Sequence, residues 1–213
     1  RHLVLDEKGN MIAKRPNLHP YSKSKKMGFE GSGPVLHYLF NDRLFFKEMF
    51  SDTVFYMNEN NNIVPGMIID SHGHLVNTRI LSRLSRNRIE EIHKCFKIWK
   101  IFETEKYLIC QINYSNNEYY GVFDKKSEKY YRYSSKDQLA DDIVSGARLK
   151  IKYSDGKKLY SWITASDLIE NLTADSESEI NPIYPIRKQK LKEKICSIID
   201  TNSLVLIVIT PKE

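Results

Sequence analysis

Apolar residues recur at every second position of this chain, in runs of about four to eight residues broken by Asn, Asp, Gly and Lys. A period of two suits an extended strand and no helix, so most of the chain is confined to antiparallel β-structure. His2–Asp6 and Met11–Lys14 flank Glu7-Lys8-Gly9-Asn10, where Gly and Asn supply the positive φ of a tight turn. Val35–Phe40, Leu44–Phe50, Thr53–Met57 and Ile63–Ile69 follow as four strands. Ile98–Glu103, Tyr107–Tyr114, Tyr119–Phe123 and Lys129–Tyr133 form a second four. A third set opens with Leu149–Tyr153 and Leu159–Ile163 and resumes at Leu204–Ile209.

Helical spacing appears in three places. Leu81, Leu84, Arg88, Ile92 and Cys95 share one face, Ser166–Leu172 is a short helix, and Leu191, Ile195, Ile198 and Ile199 form a stripe within Arg187–Ile199. In the last of these, Leu191, Ile195 and Ile198 are expected against the protein, with Lys188, Lys190 and Lys192 in solvent. Asp175–Asn181 reads as a loop, and Pro182 and Pro185 bracket the approach to the last helix.

Strands grouped in fours, joined by longer connections that carry helices, are the pattern of a β-propeller, since each blade is a four-stranded meander. A sandwich would spread its long connections less regularly. The fold expected is therefore all-β, a β-propeller of antiparallel four-stranded blades with a few short surface helices. Within residues 34–70, Val54 and Tyr56 should share one face of a blade and Phe55 the other.

Two stretches resemble a known family. Asp52-Thr53-Val54-Phe55-Tyr56-Met57, followed by Pro65-Gly66-Met67-Ile68-Ile69-Asp70 and Gly73, is similar to a recurrent segment of the six-bladed, TolB-like β-propellers of the Bacteroidetes cell envelope. Tyr160-Ser161-Trp162-Ile163, Ala165-Ser166-Asp167-Leu168-Ile169 and Asn202-Ser203-Leu204-Val205-Leu206-Ile207-Val208 resemble the closing blade of that family. Ser203 stands where the family often carries proline, and Ser71-His72-Gly73-His74 replaces a commoner Phe-Gly. The resemblance implies a periplasmic or outer-membrane-associated protein, and it brings no catalytic residue with it.

Six blades of 40–50 residues need roughly 240–300 residues. A chain of 213 residues is thus expected to be an incomplete arc of about three to four blades, a single domain over 1–213 forming the C-terminal portion of a longer propeller. Missing chain, or self-association, would have to complete the arc, because apolar faces of that size are rarely left open. Any targeting signal is expected to lie outside the sequence.

Local chemistry is sparse. His72-Gly73-His74 after Asp70 can point two imidazoles the same way, but no third ligand is identifiable, so no metal is assigned. Gly28-Phe29-Glu30-Gly31-Ser32-Gly33 lacks the Lys-Ser/Thr of a phosphate loop and precedes a strand. Cys95, Cys110 and Cys196 have no metal-type spacing, and Cys110 lies within a strand as a small buried hydrophobe. Lys23, Lys25 and Lys26, and Tyr130, Tyr131 and Tyr133, are available to an anionic strand. The net charge of +6, with acids interleaved among the bases, argues against nucleic acid. Trp99 and Trp162 are expected as packing residues between blades. No apolar run reaches the roughly 20 residues of a membrane helix. These readings point to a non-catalytic ligand-binding or protein-interaction propeller with no cofactor, its protein or glycan ligand at one mouth of the central channel. The alternative is a glycan- or peptide-directed lyase or hydrolase on the same scaffold.

Overall fold

The computed structural model describes residues 2–16, 35–48, 51–75, 94–134, 150–174, 185–197 and 202–211. The expected helix over Leu81–Ile92 lies outside them, as do Lys23, Lys25, Lys26, the Gly28–Gly33 loop, Leu149, Asp175–Asn181 and Ile198. The chain divides into two compact units, one of residues 1–103 with 107–132, the other of residues 104–106 with 133–213.

The first unit opens with the hairpin β1 (His2–Leu5) and β2 (Met11–Arg15). Gly9 turns it at φ +83°, and the Asp6 carboxylate accepts from the backbone N–H groups of Lys8 and Asn10 at 2.9 and 2.7 Å. A four-stranded antiparallel sheet follows in the order β3 (Leu36–Phe40), β4 (Arg43–Lys47), β5 (Thr53–Met57) and β6 (Ile63–Ile68). The turn between β3 and β4 uses only Asn41 and Asn-like Asp42, both at positive φ, so Arg43 joins the strand. Val54 is fully buried, and Tyr56 lies with Phe45 on the Val54 face while Phe55 stacks on Phe46 across the other, as the alternation requires. The register slips between Val54 and Phe55, leaving Gly66 as the extra residue of β6. A Cβ there would stand 3.0 Å from the Tyr56 ring and 3.4 Å from that of Phe45.

The second four-stranded sheet contains β7 (Lys97–Glu103), β8 (Tyr107–Tyr114), β9 (Asn117–Asp124) and β10 (Lys129–Ser134), in the order β10-β9-β8-β7. Ser115 and Asn116 make a two-residue turn at positive φ, so β9 begins at Asn117, two residues before the expected Tyr119, and it ends at Asp124, one residue beyond the expected Phe123. The two sheets share one core. Val54 meets Ile98, Ile101, Cys110 and Ile112, with Tyr38, Phe45 and Tyr119 around them. The first strands of the two meanders, β3 and β7, run close to each other.

The second unit holds a three-stranded sheet, β11 (Tyr153–Ser154), β12 (Leu159–Thr164) and β13 (Leu204–Ile209), and two helices, α1 (Ala165–Ala174) and α2 (Pro185–Cys196). β11 is shorter than the expected Leu149–Tyr153. Thr164 Oγ1 caps α1 by accepting from the Asp167 N–H at 3.2 Å, and Asp167 adds negative charge in the first turn. Pro185 is the first residue of α2, a position that needs no N–H donor, so the helix begins two residues before the expected Arg187. Leu168 and Ile195 are buried together, with Leu191, Ile163 and Val205 packed around them. Lys190 is exposed as expected, but Lys192 is half-buried. The Lys188 side chain lies outside the described residues.

The architecture is therefore all-β with antiparallel sheets and few helices. Among the described residues it comprises separate sheets of two, four, four and three strands. An arc of propeller blades is a finer arrangement than these sheets display, because strand periodicity encodes pairing within a sheet and not the placement of one sheet against the next.

Candidate interaction face

In the second unit the helices cover only one side of the three-stranded sheet. Leu159, Ser161, Ile163, Val205 and Ile207 alternate towards that covered side, and the intervening residues face out. In register, Thr164 pairs with Leu204, Trp162 with Leu206 and Tyr160 with Val208, while Tyr153 extends the last row beside Tyr160. Leu204, Leu206 and Val208 are 69%, 61% and 47% exposed, and Trp162 is 44% exposed. The result is a flat apolar and aromatic surface. Polar groups fix its rim: the Lys152 ammonium sits 5.9 Å from the Trp162 ring, and Tyr160 donates to Asp155 at 2.6 Å. That hydroxyl, with the N–H groups of Lys158 and Lys157, holds the Asp155 carboxyl down at about 2.

Both tryptophans depart from the packed positions expected of them. Trp99 is 40% exposed because the β7–β8 register slips between Ile98 and Lys100, leaving Trp99 as the extra residue of a bulge. Trp162 is exposed because it lies on the uncovered side of its sheet.

In the first unit, titratable groups converge in the interior. Glu103 is buried, accepts from the Tyr38 hydroxyl at 2.8 Å and pairs with the Lys125 ammonium at 2.6 Å, which also lies 4.1 Å from the Phe40 ring. Burial, then the Glu103 charge, pushes the Tyr38 phenol far above its ordinary range. Lys47, 1% exposed, donates to the Glu48 carbonyl at 3.1 Å; burial lowers its ammonium to about 8, opposed by Cys110, Asp52 and Glu48. Burial pushes the Cys110 thiol up to about 12. Glu103 thus braces β3 to β7 with both carboxylate oxygens engaged, and Cys110 remains a protonated thiol. An aryl disulfide reagent is therefore expected to leave Cys110 unmodified in the folded protein and to label it only after denaturation; labelling under native conditions would contradict its burial.

Other candidates separate in space. The His72 imidazole turns to Asp70 at 3.2 Å, whereas His74 lies against Tyr114, its Nδ1 3.4 Å from the hydroxyl. Among the described residues no group of three His, Cys, Asp or Glu side chains is placed to hold a metal. Tyr130, Tyr131 and Tyr133 are exposed on β10, and Arg132 lies 5.1 Å from the Tyr119 ring. No helix among the described residues is long and apolar enough to cross a membrane. The outer face and the Glu103–Lys47 cluster were missed in the sequence. Their signals were the charge-free run Leu204–Ile209, and two charged residues, Lys47 and Glu103, in phase with the core residues Phe45 and Ile101.

A family model described as a domain of unknown function, DUF4934, matches residues 1–208. Among solved structures, one of a candidate exported protein from Bacteroides fragilis is similar at 19% identity and a TM-score of 0.65, covering 99% of this chain and 57% of that one. The fold is therefore shared, and the chain spans little more than half the length of that protein. A member of the DUF4221 family from Bacteroides vulgatus matches at 10% identity and a TM-score of 0.38, covering 85% and 46% of the two chains, a likeness too slight to carry a fold argument. No curated protein matches the chain.

Proposed function

The chain belongs to the DUF4934 family of domains of unknown function, and from that premise we propose that it is a non-catalytic binding or protein-interaction module of the bacterial envelope. In this reading its sheets are blades of a propeller, and the 213 residues are the C-terminal portion of a longer six-bladed ring. The observation that carries the proposal is the close approach of β3 to β7. These are the first strands of successive four-stranded meanders, they run close to each other and their sheets share a core, which fits strands lining a central axis. The exported character given to the Bacteroides fragilis protein supports an envelope location. A binding role fits the chemistry, since the converging acid, Glu103, is buried and engaged by Tyr38 and Lys125. Such a ligand, a protein or a glycan, belongs at the end of the channel where the loops between strands converge.

A glycan and peptide array probed with the purified protein, followed by product analysis on every ligand bound, tests this. Saturable binding with the ligand recovered intact is expected. Cleavage of a bound glycan or peptide, lost in the Glu103→Gln variant, would overturn the non-catalytic reading.

A further inference from the structure

The chain is already extended before β7 begins. Phe96 donates its N–H to the His74 carbonyl at 2.9 Å, and the Phe96 and Ile98 side chains both pack into the core that the two four-stranded sheets share. Cys95 and Lys97 therefore point to the opposite side, roughly 7 Å apart at Cα and within reach of a lysine side chain. Lys97 is only 3% exposed, yet among the described residues it has no hydrogen-bond or ion-pair partner. Its cross-strand neighbour Asn113 does not supply one, since the Asn113 amide oxygen is itself buried without a hydrogen bond. A buried ammonium with no counter-charge is costly. Burial lowers the Lys97 ammonium below its ordinary range, and the one group whose charge opposes that lowering is Cys95, a half-buried thiol. Around this row Lys94, Lys100 and Glu118 are exposed, the His74 imidazole lies against Tyr114, and Tyr120 is a buried phenol that burial raises further from ionisation.

We propose that Cys95 is a covalent modification site, a thiolate held by the buried Lys97 ammonium, which exchanges with disulfides. A partly exposed thiol backed by a positive charge is the setting that favours a reactive thiolate. Cys110 has the contrary setting, buried among apolar side chains, and its thiol is pushed up to about 12. In the exchange the Cys95 Sγ attacks one sulfur of a low-molecular-weight disulfide. A new S–S bond forms as the old one breaks, and the displaced sulfur leaves as a thiolate with the bonding pair, so charge and electrons balance without a further reagent. Lys97 is a positioning residue here: it holds charge beside the sulfur and transfers no proton.

The test is the rate of mixed-disulfide formation with glutathione disulfide, read at Cys95 by peptide mapping from about pH 5 to 10, in the folded protein and in its Lys97→Met variant. Cys95 of the unsubstituted protein is expected to gain reactivity with a midpoint below the ordinary thiol value of about 8.5. In Lys97→Met the midpoint should move up to that value or beyond, the rate at pH 7 should fall about 3-fold, and the rate at pH 10 should equal or exceed that of the unsubstituted protein, because a thiolate of higher pKa is intrinsically more nucleophilic. A change in access alone would scale the rate by one factor at every pH, and that result, or a profile untouched by the substitution, would overturn the proposal. Circular dichroism checks that the variant folds. If it does not, the unsubstituted protein decides alone, and a Cys95 midpoint at or above about 8.5 would overturn the proposal.

Discussion

Val54→Asp is expected to abolish cooperative unfolding of the first unit. Val54 is fully buried where the two four-stranded sheets meet, in contact with residues of β7 and β8. A carboxylate placed there replaces a packed apolar side chain, and although the buried Lys47 lies opposite it, an ion pair with that ammonium would have to offset the desolvation of both charges and the lost packing. Mutations of this kind cost about 4–5 kcal/mol or more, against a total stability of about 5–15 kcal/mol for an ordinary domain. Ile68→Asp, in the outermost strand of the same sheet and 71% exposed, should shift stability by no more than about 0.5 kcal/mol. Denaturant melts followed by circular dichroism compare the two. Equal losses at both positions would mean that the first sheet does not have the buried face assigned to it.

The second large effect is a gain. Lys47 occupies an inward position of β4, in phase with Phe45 and opposite Val54, and burial lowers its ammonium from 10.5 to about 8. A lowered lysine pKa means that the folded state holds the proton less tightly than the unfolded chain. Between pH 8 and 10.5 the unfolded chain therefore binds more protons, and the Lys47 contribution makes stability rise with pH through that window. Below about pH 8 the lysine is charged in both states and its full cost is present, about 3 kcal/mol for a difference of this size. Lys47→Met, which fills a similar volume without the charge, should stabilise the protein by about 1–4 kcal/mol at pH 7 even though the bond to the Glu48 carbonyl is lost. That advantage should shrink as pH rises from 8 to 10.5. Urea midpoints of both proteins across this range provide the measurement. A Met variant that is less stable at pH 7, or an advantage that grows with pH, would contradict the assignment.

These two residues show where the sequence was readable. Val54 follows directly from alternation: Thr53–Met57 places Val54 and Tyr56 on one face and Phe55 on the other, and the observed sheet does the same. The first hairpin turn was equally legible, because Gly9 adopts the positive φ that selects glycine there. Lys47 was not legible. Alternation would place an inward residue at position 47, yet a lysine in that phase reads as solvent-facing until the strand beyond it is known to be covered. Trp99 was misplaced for a related reason, since a bulge inserts one residue and turns the following side chains over without any mark in the local pattern. The outer face of β12 and β13 required knowledge of which side the helices take. Leu204–Ile209 is apolar at every position, so its sequence distinguishes no inside from outside.

The placement of whole sheets lies furthest from the sequence, and the propeller reading depends on it. An experimental map of the complete gene product, by crystallography or electron cryomicroscopy, tests it most directly. The account predicts six antiparallel sheets around one axis, with β3 and β7 lining a central channel and the Tyr38–Glu103–Lys125 brace lying between their blades. Two packed layers with no central channel, or β3 and β7 on the outer rim, would contradict it.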